Sequence, residues 1–320
     1  MGGTKIAAAV VDSDGNVRVR GRIETPETLE PSVLVDAIEK VSLQVLDEGK
    51  VSLSAMKGVG MSSAGIVNSR EGIVNFSPNI PALRRTPLRD MLSERFGKPV
   101  GLGNDASLAA LAEWQFGLNR SVDNLVYVTL STGIGGGIIA GGKLYEGACG
   151  GAGEVGHMVI DVNGPACPCG RKGCWEALAS GSALANRAAA RVAAGDNSLL
   201  RELCGGEPEK IDAYIVALAA GQGDALAQEM IATTAYYVGV GLANLINIFN
   251  PSLILIGGGL AKIGDSLLGP AAKVAKELAY VADACEMDIR PALLGDDSPL
   301  LGAAALVMGP FAHEVPQESA

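Results

Sequence analysis

Aromatic residues make up only 4% of the 320 positions, and the basic residues are outnumbered, 25 Lys and Arg against 35 Asp and Glu. The resulting formal charge of -10 excludes an extended nucleic-acid groove, because phosphate-backbone binding draws on clustered Lys and Arg. It does not exclude a small anion such as a nucleotide, which backbone N–H groups and a metal ion can hold. Charge runs are also lacking, and charged residues are only 19% against 48% hydrophobic, a balance that excludes a disordered chain. No basic-then-apolar leader precedes Gly2, so a cytoplasmic location is expected. The most apolar stretch, Val238 to Leu260, is interrupted by Asn244, Asn247, Asn250 and Pro251, and reads as a helix end, a turn and a buried strand rather than a membrane span. Cysteines number six, and Cys167, Cys169 and Cys174 fall in one short loop. Without a secretory leader, that clustering favours metal over disulfides.

What the chain does have is glycine, 43 residues of it, and enough length for two domains. Strands and helices are interleaved throughout. Apolar runs at Ile6–Val11, Gly58–Ser62 and Pro99–Gly103 predict strands, as does the alternation over Val17–Glu24. Helical spacing marks Pro31–Asp47, Leu88–Phe96 and Ala106–Phe116. Leu125–Leu130 and Ile134–Ala140, joined by a Gly/Thr turn, predict a hairpin. Helices dominate from Trp175 to Asn250, followed by a strand over Leu253–Ile256 and a last helix over Leu300–Met308. These elements predict an α/β fold of two lobes, over 1–118 and 119–298, with a helix in 299–310 packing back on the first. Trp114 and Trp175 are expected in the core.

Four glycine-rich turns could cradle phosphates: Gly2-Gly3-Thr4-Lys5, Ser131 to Gly137, Gly147–Gly156 and Gly257-Gly258-Gly259. Lacking Cβ, such backbone approaches a phosphate closely and aims several N–H groups at it. Each alone is a weak signal, and neither a P-loop nor a dinucleotide fingerprint is present. Asn104-Asp105 precedes a predicted helix. Local sequence favours an ordinary N-cap there, with a cleft-facing general base as the alternative. The set His157, Cys167, Cys169 and Cys174 is more specific. Three thiolates and an imidazole suit a tetrahedral structural zinc, with Gly164, Gly170 and Gly173 letting the loop close around a small ion. The alternative is three buried free cysteines and a satisfied histidine. Glu154 and Glu176 flank the loop, and Asn79 lies in a proline-stiffened one.

Taken together, these motifs resemble the ROK family (repressor, open reading frame, kinase), and within it the actinobacterial glucokinases. The resemblance spans essentially the whole chain and is most specific over Leu130–Ser180, which contains STGIGGGIIAGGKLYEG, GAGEVGHM, CPCGRKGCWE and ASG. It implies the two-lobed actin-like ATPase fold, a duplication shared with sugar kinases and RNase H-like domains, with ATP and sugar in the interlobe cleft. It further implies Asp105 as catalytic base partnered by Asn104, and sugar contacts from Gly65, Asn79, Asn104, Asp105, Glu154, His157 and Glu176. Gly3, Thr4 and Lys5 match the first phosphate motif, Thr132, Gly133 and Gly135 the second, and Gly257 and Gly258 the adenosine-side turn. Zinc falls to His157, Cys167, Cys169 and Cys174.

The resemblance therefore implies phosphorylation of glucose by ATP with Mg2+, in carbohydrate metabolism. Kinases for mannose, fructose, N-acetylmannosamine or N-acetylglucosamine are alternatives, as are a non-catalytic sugar-binding protein and a sugar-responsive repressor. Expected partners are sugar and ATP, no nucleic acid and no membrane, and further copies of the chain in a dimer or tetramer. Ser131 and Ser107 stand where the family has Gly and Asn. The first family motif reads Asp-x-Gly-Gly-Thr-Lys after most of a strand, whereas Met1 precedes Gly2 here. A form extended upstream by an apolar strand ending in Asp-x is accordingly expected to be more stable and more active, since that Asp helps to hold Mg2+.

Overall fold

The structure, a computed structural model, describes residues 1–282 and 286–308. Cys285, the end of the helix expected in 299–310 and the tail from His313 lie outside the described residues. The chain divides into two compact units. One comprises Met1–Asp123, Gly137–Gly153 and Leu293 onward, the other Asn124–Gly136 and Glu154–Ala292. The sequence placed 119–298 in one continuous lobe, but the segment Gly137–Gly153 groups with the first unit. Its ties there are specific: the Ser69 hydroxyl donates to Glu146 at 2.6 Å, the Gly142 N–H donates to Asp123 O at 2.9 Å, and Gly150 packs on the Val67 backbone.

In the first unit, β1 (Lys5–Val11) pairs antiparallel with β2 (Val17–Glu24) from Lys5↔Glu24 onward. The turn between them is closed by Asp12, whose carboxylate accepts from the N–H groups of Asp14 and Asn16. Helix α1 (Pro31–Glu48) starts on the proline, whose missing N–H is no loss at that position. It buries Val35, Ile38, Val41 and Val45, the 3.6-residue stripe read from the sequence, and Leu34 beside them. After β3 (Val59–Ser63), a small antiparallel sheet forms from β4 (Ile66–Asn68), β5 (Ile73–Phe76) and β6 (Arg84–Thr86), strands too short to announce themselves in the sequence. Helix α2 (Leu88–Phe96) leads to β7 (Val100–Asn104), which pairs parallel with β3 from Val59↔Val100 to Ser63↔Asn104.

Helix α3 (Asp105–Ala112) follows β7 without a loop. The sequence predicted one helix to Phe116, but the chain widens into a π turn over Glu113–Gly117. The buried Glu113 carboxylate there accepts from the N–H groups of Leu293 and Leu294 and from the Ser298 hydroxyl, at 2.8–2.9 Å.

In the second unit, β8 (Leu125–Leu130) is followed by β9 (Ile134–Ala140), which runs on into the first unit and pairs there with β10 (Lys143–Leu144). A cysteine-rich loop, then α4 (Trp175–Ala179), α5 (Gly181–Ala193), α6 (Leu200–Leu203), α7 (Ala213–Gly221) and α8 (Ala225–Phe249) precede β11 (Leu253–Gly257). Strand β11 is buried along its whole length and pairs parallel with β8 on one side, hence its unbroken apolar sequence. On its other side lies β12 (Asp288–Pro291), after α9 (Asp265–Leu278). Helix α8 is long and apolar enough to cross a membrane, yet over half of its most apolar stretch is buried within the unit. Trp175 is fully buried against it, its indole N–H donating to Tyr237 O at 2.8 Å. Trp114 is likewise buried, in the first unit. Helix α10 (Ser298–Met308) belongs to the first unit, where Gly302 lies on the Leu108 backbone of α3.

Candidate active site

The parallel pair β3–β7 brings two chain segments together at its C-terminal edge, where ligands of open α/β sheets bind. Gly65 follows β3 with φ +102°, a conformation that L side chains rarely adopt, and a Cβ there would overlap the Phe76 carbonyl. Its own carbonyl accepts from Asn104 Nδ2 at 2.9 Å. Asn104 ends β7 and caps α3, its Oδ1 accepting from Ala106 N at 2.9 Å and Ser107 N at 3.0 Å. Capping is thus assigned to Asn104, one residue before the aspartate the sequence could not separate from it. Asp105 is the first residue of α3, partly exposed, and its carboxylate also accepts from Ala106 N. Burial pushes its pKa above the usual carboxylate value, and that N–H works against the shift. Nearby, Gly3 is stacked so closely on Asn79 that a side chain at 3 would meet the Asn79 carbonyl at 2.7 Å. Thr4 and Lys5 are exposed, and Thr25 N–H ties the Thr4 carbonyl to the end of β2 at 3.1 Å.

The second unit holds the remaining residues. The turn after β8 is closed by Ser131 N donating to Gly133 O at 2.9 Å, with Thr132 exposed at its tip. Gly135 lies within β9 rather than in the turn. Gly257 ends β11 opposite Thr129 of β8. Gly258 follows at φ +89°, packed on the Leu130 carbonyl, so the turns after β8 and β11 are neighbours.

Glu154 precedes a single 3-10 turn, Val155–His157, that lifts His157 toward the cysteine loop. The ligand atoms of His157, Cys167, Cys169 and Cys174 all lie within 4.8 Å of one another. His157 Nδ1 is 3.9 Å from Cys167 Sγ, and Cys169 Sγ is 3.6 Å from Cys174 Sγ. His157 Nε2 faces the Glu154 carboxylate at 3.9 Å, the arrangement in which an acid orients a ligating imidazole. The N–H of Arg171 draws the exposed Cys169 thiol down to about 7, while burial pushes Cys174 up to about 12. Three adjacent thiols ionise together only when a cation compensates them, so the donor set fits a divalent soft metal. Glu176, in the first turn of α4, accepts from Ile134 N at 2.8 Å. That contact is invisible in the sequence, because its partner is a backbone group.

The model of the ROK family matches residues 1–309. A glucokinase from Streptomyces coelicolor is 39% identical over 313 residues, covering 97% of this chain and 96% of its own. An N-acetylmannosamine kinase from Escherichia coli O157:H7 is 35% identical and 97% covered in both chains. Among solved structures, a ROK glucokinase from Streptomyces griseus in complex with glucose and AMPPNP superposes with a TM-score of 0.82, at 36% identity and 96% coverage of each chain. The α/β, two-lobed actin-like ATPase fold expected from the motifs is the fold of these neighbours. The family's signature is spread over both units, and on that full-length match the chain belongs to the ROK family.

Proposed function

We propose that the chain is a glucokinase, transferring the γ-phosphoryl group of ATP to the 6-hydroxyl of glucose. The observation that carries this reading is Asp105, a partly buried carboxylate of raised pKa that Asn104 relieves of capping duty, in a chain similar end to end to glucokinases. Asp105 accepts the hydroxyl proton as the oxygen bonds to the γ-phosphorus and the bond from that phosphorus to the bridging oxygen of ADP breaks. Gly65, Asn79, Asn104, Glu154, His157 and Glu176 bind and orient the sugar. Gly3, Thr4 and Lys5, with Thr132, Gly133 and Gly135, hold the phosphates, and Gly257 and Gly258 face the adenosine. Mg2+ arrives with ATP and neutralises charge on the phosphates.

His157, Cys167, Cys169 and Cys174 would hold one zinc ion per chain, which would cross-link the loop and compensate its three thiolates. Its place is structural, since all four donors are protein atoms. The chain acts in the cytoplasm and assembles as a dimer or tetramer. Exposed apolar side chains of the second unit, Tyr236, Ile248, Leu278 and Tyr280, support the assembly.

An ATP-coupled assay over glucose, mannose, fructose, N-acetylmannosamine and N-acetylglucosamine tests the reading. Glucose is expected to give the highest kcat/KM. A higher value for an N-acetylhexosamine would reassign the substrate, and no turnover with any hexose would overturn the kinase reading.

A further inference from the structure

Both ends of the cysteine loop close on one residue that lies outside it. Gly156, beside His157, packs against the Ile134 carbonyl so tightly that a Cβ there would overlap it. At the other end, Cys174 leads directly into α4, whose Glu176 accepts from the Ile134 N–H at 2.8 Å. The same carboxylate lies against Gly133, where any side chain would collide with it. Ile134 is thus gripped at both its carbonyl and its N–H, while its side chain is buried in one core with Val155 and Trp175. It is also the first residue after the Ser131-Thr132-Gly133 turn. The rest of that turn is held by the start of α5, through Gly181 N donating to Ser131 O at 2.7 Å and Ser182 N to Thr132 O at 3.4 Å.

We propose that Glu176 is a positioning residue for the nucleotide, and that zinc, by fixing the loop on either side of Ile134, raises nucleotide affinity before any sugar is bound. The inference rests on the reading of Ser131–Gly133 as a phosphate turn. A turn that samples several conformations offers its N–H groups to a phosphate only part of the time, and apparent affinity falls by that fraction. Hydrogen bonds to a charged acceptor are the stronger kind, and the loop end carrying this one is covalently continuous with a zinc ligand. A carboxylate serving only sugar hydroxyls would leave sugar-free nucleotide binding untouched.

The test titrates the sugar-free, full-length protein with Mg·ADP, with zinc content and melting temperature recorded for every sample. Glu176→Ala is expected to bind ADP about tenfold more weakly while keeping its zinc. Glu176→Gln keeps an oxygen for the Ile134 N–H but an uncharged, weaker acceptor, and is expected to fall between wild type and Glu176→Ala in ADP affinity. Wild-type protein stripped by a zinc-selective chelator should lose affinity to a similar extent and regain it when zinc is restored. Unchanged ADP affinity in Glu176→Ala, or in folded zinc-free protein, overturns the inference while leaving the kinase reading intact. Wild-type protein that binds no ADP overturns the phosphate-turn reading and the inference with it.

Discussion

Replacing Asp105 by asparagine separates what this residue does for the reaction from what it does for the fold. Asn104 Oδ1 already satisfies the first N–H groups of α3, at 2.9 and 3.0 Å, and an amide at 105 can still accept from Ala106 N as the carboxylate does. Helix α3 should therefore start as before. Loss of a general base costs about a hundred- to ten-thousandfold in rate, or roughly 3–5 kcal/mol of transition-state stabilisation. Stability should move the other way. Burial raises the folded-state pKa of Asp105 above the usual carboxylate value, so the folded chain holds this proton more tightly than the unfolded one. The stabilising contribution is complete below the unfolded pKa and is lost as pH rises through the folded one. At neutral pH the ionised carboxylate is then a net burden, which the asparagine removes. Coupled-assay turnover with glucose, and melting curves from acidic to neutral pH, provide both readouts. The variant should lose most turnover, melt higher than wild type near pH 7, and converge with it at acid pH. In the wild type, kcat/KM should fall toward acid with an apparent pKa above the ordinary carboxylate range. Near-normal turnover, or a lower melting temperature at neutral pH, would refute the assignment.

Metal analysis should find one zinc per chain and its loss in Cys169→Ser, whereas stoichiometric zinc surviving the substitution would exclude the proposed ligand set. Glu113→Gln sets an amide N–H2 among the donors of Leu293, Leu294 and Ser298. It should cost about 1–3 kcal/mol of unfolding free energy, read by urea denaturation, as a buried donor left facing donors does. Gly258→Ala forces a Cβ onto the Leu130 carbonyl at φ +89°, a strain of about 1–3 kcal/mol. It is expected to raise KM for ATP more than KM for glucose, and an equal effect on both would remove the turn from the nucleotide site.

The regular elements were legible where one stretch of chain carries its own signal. Val17–Glu24 alternates in burial residue by residue, and α2 occupies Leu88–Phe96 as its spacing indicated. Leu253–Gly257 reads as apolar throughout because it is an inner strand of a parallel trio and is buried along its whole length. The chain between β3 and α2 was opaque for the opposite reason. Strands of three or four residues, β4 to β6, are too short to establish a period. The π turn at Glu113 was hidden because its cause is remote: three donors from around residues 293–298 converge on one carboxylate. The helical pattern of the preceding residues gives no hint of them.

The candidate site divides along the same line. His157 and the three cysteines were visible because the donors are scarce residue types lying close in sequence, and their convergence within 4.8 Å follows from the glycine turns between them. Asn104 and Asp105 were visible as a pair but not as separate roles. Either side chain can cap a helix, and only the hydrogen bonds decide that Asn104 does so. Glu176 was visible as a carboxylate flanking the loop and, through the family resemblance, as a sugar ligand, but its bond to a backbone N–H 42 residues away could not be. A main-chain donor is the same at every non-proline position, so nothing in the residue types marks which one a carboxylate will find. The features most open to sequence reading are thus the chemical groups themselves. The restraints at Ile134 and at Glu113 are made largely with backbone, which is why their roles have to be tested by substituting the side chain and measuring ligand affinity or stability apart from turnover.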